Sequence, residues 1–326
     1  MTGRDESPVG LRDVYRARAR IAPFVRRTPL VRADALSKAA GAEVRLKLEC
    51  LQDIGAFKQR GAMNAILSLD PEARERGVVT MSTGNHGRAV AWAADRLGVR
   101  AVVCLSSLVP GRKVEAIRAA GGEVRVVGRG QDEAGEEAMR LVREDGLALI
   151  PPFDDPAVVA GQGTIGIELL EDFPEIDAAL IPLSGGGLFV GIAGVLKAAD
   201  PSIRTVGISM KRGAAMAASL EAGRPVSVEE VETLADSLGG GIGLDNRHTF
   251  ARTAALIDEV LLLEEEEIAA GMRHLHREEG LVTEGAAAVG AAALLAGKVR
   301  VEGRSVATIV SGRNVDMDSF AAVIAD

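Results

Sequence analysis

The chain has 326 residues, 47% of them hydrophobic and 26% charged, the balance of a globular protein with room for about two domains. Aromatic residues make up only 3% while glycines number 38, which favours an α/β protein with many tight strand-to-helix turns over an all-β sandwich. The net charge of −8 argues against a nucleic-acid surface, which needs clustered Lys and Arg.

The start, "MTGRDESPVG", is polar and has no apolar signal core. No apolar run approaches the ~18 residues of a membrane span, so a cytoplasmic protein is expected. Residues 11 to 21 place Leu11, Val14, Tyr15 and Ile21 at helical spacing, interrupted by Arg18. In "EVRLKLE" (43–49), Val44, Leu46 and Leu48 alternate with charges, the period of a strand with one buried face. From residue 77 the pattern becomes strand, helix, strand. "GVVTM" leads to a helix at 85–97 and then "RAVVCL"; helices at 113–120 and 131–144 lead to "EVRVVG" and "LALIP". Such units imply parallel strands with right-handed crossovers.

The alternation resumes with a helix near 158–171, "AALIPL" (178–183), a helix at 188–199, "RTVGISM" and "EVLLL" (259–263). Helices at 264–279 and 284–297 precede the last strand, "SVATIV" (305–310). Two open parallel-sheet domains are therefore expected. Residues 79–152 form a small domain inserted in a large one made of 1–78 plus 153–326. Cys50 and Cys104 lie in apolar runs and read as buried thiols.

"GAFKQRGAMNAI" (55–66) holds Lys58 between two glycines, beside Phe57, in what reads as a Gly-bounded loop just past a strand end. That is where α/β proteins build sites; the bland alternative is a surface lysine. "PLSGGGLFVGIAGVL" (182–196) runs from a strand through Gly185, Gly186 and Gly187 into a helix, a backbone cradle for one phosphate. It lacks the terminal lysine of a nucleotide phosphate loop, and close strand–helix packing is its bland account. "STGNHGRAV" (82–90) has the same form, with Ser82, Thr83, Asn85 and His86 at a helix start, where ordinary capping is the competing explanation. Ser311 in "VSGRNVD" ends the last strand and offers a neutral hydrogen bond, or is simply a turn residue. "EEEE" (264–267) reads as the acidic first turn of a helix rather than a metal site. A phosphate cradle, a lysine in a neighbouring loop, and an asparagine and a serine at strand ends together fit pyridoxal 5'-phosphate.

With those motifs in place, the sequence resembles the fold-type II pyridoxal-phosphate enzymes of the threonine/serine dehydratase and serine racemase group, which share the tryptophan synthase β-like fold. The resemblance runs from "RTPLVRADALS" (27–37) through "GAFKQRGAMNAI", "STGNHG", "AGQGTIGIELLE", "SGGGL" and "EGAAAVG" to "SGRNVD". Within the group it is most similar to the dehydratase of hydroxyectoine utilisation, on "STGNHGRAV", "SSLVPGRKV" and "ADSLGGGIGLDNRHTF". The resemblance implies that the cofactor lies between the two domains. Lys58 would be the Schiff-base lysine and the base that takes the α-proton. Phe57 would flank the ring, Asn85 would meet its 3′-oxygen, Ser184 to Leu188 would hold the phosphate, and Ser311 would face the ring nitrogen. Ser82, Thr83, Asn85 and His86 would receive the substrate carboxylate. Thr83 stands where serine racemases carry their second acid/base serine. Ser209 replaces the usual glutamate metal ligand, so no metal is expected. Arg88 and Arg313 also depart from the family pattern, and suggest either a substrate with extra negative charge or plain solvent exposure.

The expected activity is α,β-elimination of water from a β-hydroxy α-amino acid, giving a 2-oxo acid and ammonia, in a homodimer that binds neither nucleic acid nor membrane. The alternatives are a serine/threonine or 3-hydroxyaspartate dehydratase of general catabolism, and a racemase on the same scaffold. More remote is a non-enzymatic phosphate-ligand binder.

Overall fold

The structure, a computed structural model, describes residues 9–82 and 84–325. It opens with α1 (Leu11–Ile21), β1 (Leu30–Arg32), α2 (Asp34–Ala40) and β2 (Glu43–Lys47). Then come α3 (Lys58–Leu67), α4 (Pro71–Arg76), β3 (Val78–Met81), α5 (Asn85–Arg96) and β4 (Ala101–Leu105). The chain continues through α6 (Gly111–Ala119), β5 (Glu123–Val126), α7 (Gln131–Glu144), β6 (Ala148–Leu149) and α8 (Pro156–Asp172). Next are β7 (Ala178–Pro182), α9 (Gly187–Ala199), β8 (Arg204–Met210), α10 (Ala215–Ala222) and α11 (Phe250–Leu256). The last elements are β9 (Glu259–Leu263), α12 (Glu265–Arg277), α13 (Gly285–Leu295), β10 (Ser305–Ile309) and α14 (Met317–Ala325).

The strands form two sheets. One has six strands in the order β1-β2-β10-β7-β8-β9, parallel except for β1, which pairs antiparallel with β2 at the edge. The other has four parallel strands in the order β5-β4-β3-β6. Leu180, Val206 and Ile208 face α12 and α13 in one core, whereas Ala179, Ile181, Ala307 and Ile309 face α8 and α9 in another. Side chains alternate across the pleat, and both faces are apolar because both are covered by helices. Cys50 and Cys104 are buried free thiols. Burial raises each to about 11, so both are neutral at physiological pH.

Strand ends converge between the sheets. β10 leads into Ser311, β7 into Ser184 and β3 into Ser82, so the carboxyl ends of three parallel strands face one space.

Candidate functional site

Lys58 opens helix α3 rather than lying in a loop: Gly55 takes a left-handed φ of 76°, and Phe57 is already helical. The backbone here is held on the sheet side by the Phe57 N–H, which donates to the Ser311 carbonyl at 3.0 Å, and by a bridge between Ala56 and Gly312. The lysine enters a cavity of about 1590 Å³ lined also by Phe57, Ser82, Asn85, His86, Ser184 to Leu188, Glu284 and Ser311. Every residue expected at the site is thus gathered there apart from Thr83, which lies outside the described residues. Lys58 Nζ donates to the Pro152 carbonyl at 2.6 Å and stands 5.3 Å from the centre of the Phe57 ring. Burial lowers its pKa to about 8, with Glu284 pulling the other way. An amine so placed is partly neutral at physiological pH and can act as nucleophile or base.

The glycines after β7 form a tight cradle. Gly186 has a φ of 88°, and a Cβ there would meet Thr253 Oγ1 at 2.9 Å. A Cβ on Gly185 would strike the Phe153 ring at 2.3 Å. The Thr253 hydroxyl is buried and has no protein partner. Free N–H groups at the start of the 13-residue α9, together with a hydroxyl in need of a partner, fit an anionic group such as a phosphate.

Opposite the cradle, Asn85 is fixed on both ends of its amide. Its Nδ2 donates to both Glu284 oxygens, at 3.0 and 3.1 Å, and its Oδ1 accepts from Asn314 Nδ2 at 2.7 Å. Glu284, the N-cap of α13, is 3% exposed, and burial raises its pKa to about 7. The sequence pattern gives only a helix at 284–297 here and does not single out this carboxylate. The available signal was a single acid at the mouth of an otherwise wholly apolar helix.

The His86 ring is tied to the backbone across from it. Its Nε2 donates to the Ile150 carbonyl at 2.9 Å, and Nδ1 has no protein partner. Burial, with Lys58 nearby, lowers it to about 3, so the ring stays neutral. The His86 backbone lies in the first turn of α5. Arg88 and Arg313 do not line the Lys58 cavity. They line a neighbouring one of about 800 Å³ beyond Asn85 and Glu284, and Arg88 Nη1 donates to Asn314 Oδ1 at 2.7 Å. Ser209 is buried with its Oγ against the Met210 sulfur at 3.3 Å. Among the described residues no group of His, Cys, Asp or Glu is arranged to hold a metal ion, and none of their helices is long and apolar enough to cross a membrane. Glu264 and Glu267 form the acidic start of α12, paired with Lys211 and Lys298.

A lysine amine lowered towards neutrality, facing a glycine cradle across a cavity at strand ends, is the arrangement that a pyridoxal-phosphate site requires. Comparison with known proteins agrees. Residues 21–312 match the family model of pyridoxal-phosphate dependent enzymes, and the chain belongs to that family. A Sinorhizobium fredii protein, named only provisionally as a threonine dehydratase, is 52% identical over 318 residues, covering 98% of this chain and 96% of its own. The L-threonine ammonia-lyase of Thermotoga maritima is 38% identical over 316 residues, covering 97% of this chain and 78% of its own. Maize serine racemase superposes with a TM-score of 0.92 at 34% identity, covering 98% of both chains. The fold is the expected fold-type II architecture.

Proposed function

We propose that this lyase removes water from a β-hydroxy α-amino acid and releases a 2-oxo acid and ammonia, in the manner of the threonine ammonia-lyases it is similar to. The observation that carries the reading is Lys58, an amine lowered to about 8 within the cavity that also holds the glycine cradle. Lys58 would hold the cofactor covalently, with Ser184 to Leu188 on its phosphate, Asn85 at its ring oxygen, Phe57 beside the ring and Ser311 at the ring nitrogen. When bound, pyridoxal phosphate supplies an electron sink for the charge left at the α-carbon.

The chain's own groups do the rest. Ser82 and the backbone N–H groups at the start of α5 receive the substrate carboxylate, aided by the helix dipole. Lys58 Nζ, released from the cofactor, takes the α-proton, and the Pro152 carbonyl is a ready acceptor for the ammonium so formed. Ser311 offers the ring nitrogen a neutral partner; it cannot stabilise added positive charge there as a carboxylate would, which favours prompt elimination over transamination. The assigned residues include Thr83 as a second acid/base group.

The narrower reading places the reaction in hydroxyectoine catabolism, with a substrate larger than serine. The motifs at 106–114 and 235–250 support it, as does the reach of the cavity from Lys58 to Arg247 and His248. With Arg88 and Arg313 outside that cavity, a substrate anion is no part of the reading. The proposal also includes the division into 1–78 plus 153–326 and 79–152, a homodimer and a cytoplasmic location. The test is kcat/KM for threonine, serine, 3-hydroxyaspartate and hydroxyectoine-derived amino acids, with 2-oxo acid and ammonia measured together. Preference for threonine or serine by about a hundredfold, ~2.7 kcal/mol, would overturn the narrower reading. Inversion of the α-carbon without ammonia release would replace the lyase by a racemase.

A further inference from the structure

Behind Lys58 lies a charged cluster that none of the chemistry above uses. Lys47 and Glu49 are 0% exposed and Arg60 is 1% exposed. Arg60 Nε and Nη2 each donate to Glu49 at 2.8 Å. Its Nη1 and Nη2 donate to Glu168 at 2.6 and 2.9 Å. Lys47 Nζ pairs with Glu168 at 2.6 Å and also donates to the Thr28 carbonyl at 2.6 Å. Two cations and two carboxylates cancel. Burial alone would raise Glu49, but Arg60 and Lys47 hold it below the usual carboxylate range.

Stability is a poor reason for this arrangement. Stripping four ions of water is costly, and apolar side chains of similar volume often hold a core as well or better. A bidentate fork provides direction instead. Residues 58 and 60 are about 200° apart on a helix, so Lys58 points into the cavity while Arg60 points back into the protein. Glu49 follows β2, and Glu168 lies on α8, the helix that Pro152 and Asp155 lead into. The α3–α8 contact is backbone-close: a Cβ on Gly161 would meet the Arg60 carbonyl oxygen at 2.6 Å. The lysine therefore lies on one of the two helices that Arg60 joins, and its carbonyl acceptor lies in the segment that leads into the other.

We propose that Arg60 is a positioning residue, whose fork onto Glu49 and Glu168 fixes the first turn of α3 against α8 and so aims Lys58 into the cavity. The inference rests on the reading of Lys58 as the cofactor lysine. Two variants test it. Arg60→Lys keeps the charge but cannot span both carboxylates, because an ammonium has no planar fork. Arg60→Met with Glu49→Gln removes one charge of each sign. Folding is followed by circular dichroism and urea unfolding. In the cofactor-free protein, trace acetylation of Lys58 against pH is read by peptide mass spectrometry. Pyridoxal phosphate is then added, and visible absorbance, kcat and KM are measured.

The wild type is expected to show half-maximal labelling near pH 8. In both variants the midpoint should move towards the ordinary lysine value, and kcat should fall by about tenfold to a hundredfold with KM nearly unchanged. Folded variants with an unchanged labelling midpoint and kcat overturn the proposal, whatever their urea midpoints. Unfolding of both overturns it too, since the cluster would then hold the fold rather than aim one side chain. A wild-type protein whose Lys58 does not attach the cofactor would overturn the reading of Lys58 itself, an outcome separate from either variant result.

Discussion

Two glycine turns face each other across the cavity, alike in sequence form and opposite in construction. The turn after β7 is packed solid, with no room for a Cβ on Gly185 or Gly186. Its helix, α9, is buried through residues 187–193. The turn after β3 is open: Gly84 is exposed, and a Cβ there would meet nothing within 4 Å. Ser82 and Asn85 beside it are only half-buried. A closed backbone cradle on the larger sheet suits a group that stays bound, because its donors are fixed before the group arrives. An open helix start on the smaller sheet suits a carboxylate that comes and goes. Burial, rather than motif, separates the proposed cofactor side from the proposed substrate side.

The most damaging way to break this contrast is at the lysine between the turns. Lys58→Ala should leave a folded protein that binds pyridoxal phosphate only non-covalently and has lost elimination activity. Normal turnover by that variant would remove Lys58 from its role. Next in size is Gly185→Ala, where the new methyl must displace the Phe153 ring or the turn. Overpacking of that kind costs about 1–3 kcal/mol, so cofactor affinity should fall by about fivefold to a hundredfold. Equilibrium dialysis with pyridoxal phosphate measures it. Gly84→Ala is the matched control: with open space around its Cβ position, it should change cofactor affinity by less than about twofold. Equal losses at both glycines would dissolve the contrast.

Acid–base behaviour sharpens it further. Attachment of the cofactor needs the neutral amine, so its rate should rise with pH up to about 8 and level off above. The Glu284 carboxylate raises the pKa of Lys58, so Glu284→Gln should move that midpoint downward. An upward or absent shift in stopped-flow reconstitution would show that Glu284 does not act on the lysine. The smallest effect is expected from chelation: with Ser209 in place of a carboxylate, EDTA should leave turnover unchanged. A large, saturable rescue by magnesium or calcium would reveal a metal site built from other groups.

Much of this was legible in the chain. Apolar alternation located β2, whereas β7, β8 and β10 stood out as short apolar runs between helices, because helices cover both of their faces. The strand–glycine–helix motifs marked both turns and Ser311. The antiparallel edge strand β1 was not seen, since three residues of mixed burial carry no period. The helical start at Lys58 was hidden as well, because glycines flanking a lysine look like a loop until Phe57 is found to be already helical. The resemblance put His86 at the site and left Arg88 open between substrate and solvent. Sequence alone does not say what each side chain meets, since successive residues of a helix point about 100° apart. One ring turned to Ile150, and one guanidinium to Asn314.

What the sequence by itself determined is local: the element pattern, the lysine, the glycine cradle, and through them the cofactor and family. Tertiary structure alone decided which groups tune them. Asn85 meets Glu284 from 199 residues away and Asn314 from 229, and Arg60 reaches Glu168 across 108. No periodicity records such contacts. They arise where separate strands and helices are pressed together by apolar burial, and there the loss of water makes the charge of Glu284 and the pKa of Lys58 depend on whatever the fold has placed beside them.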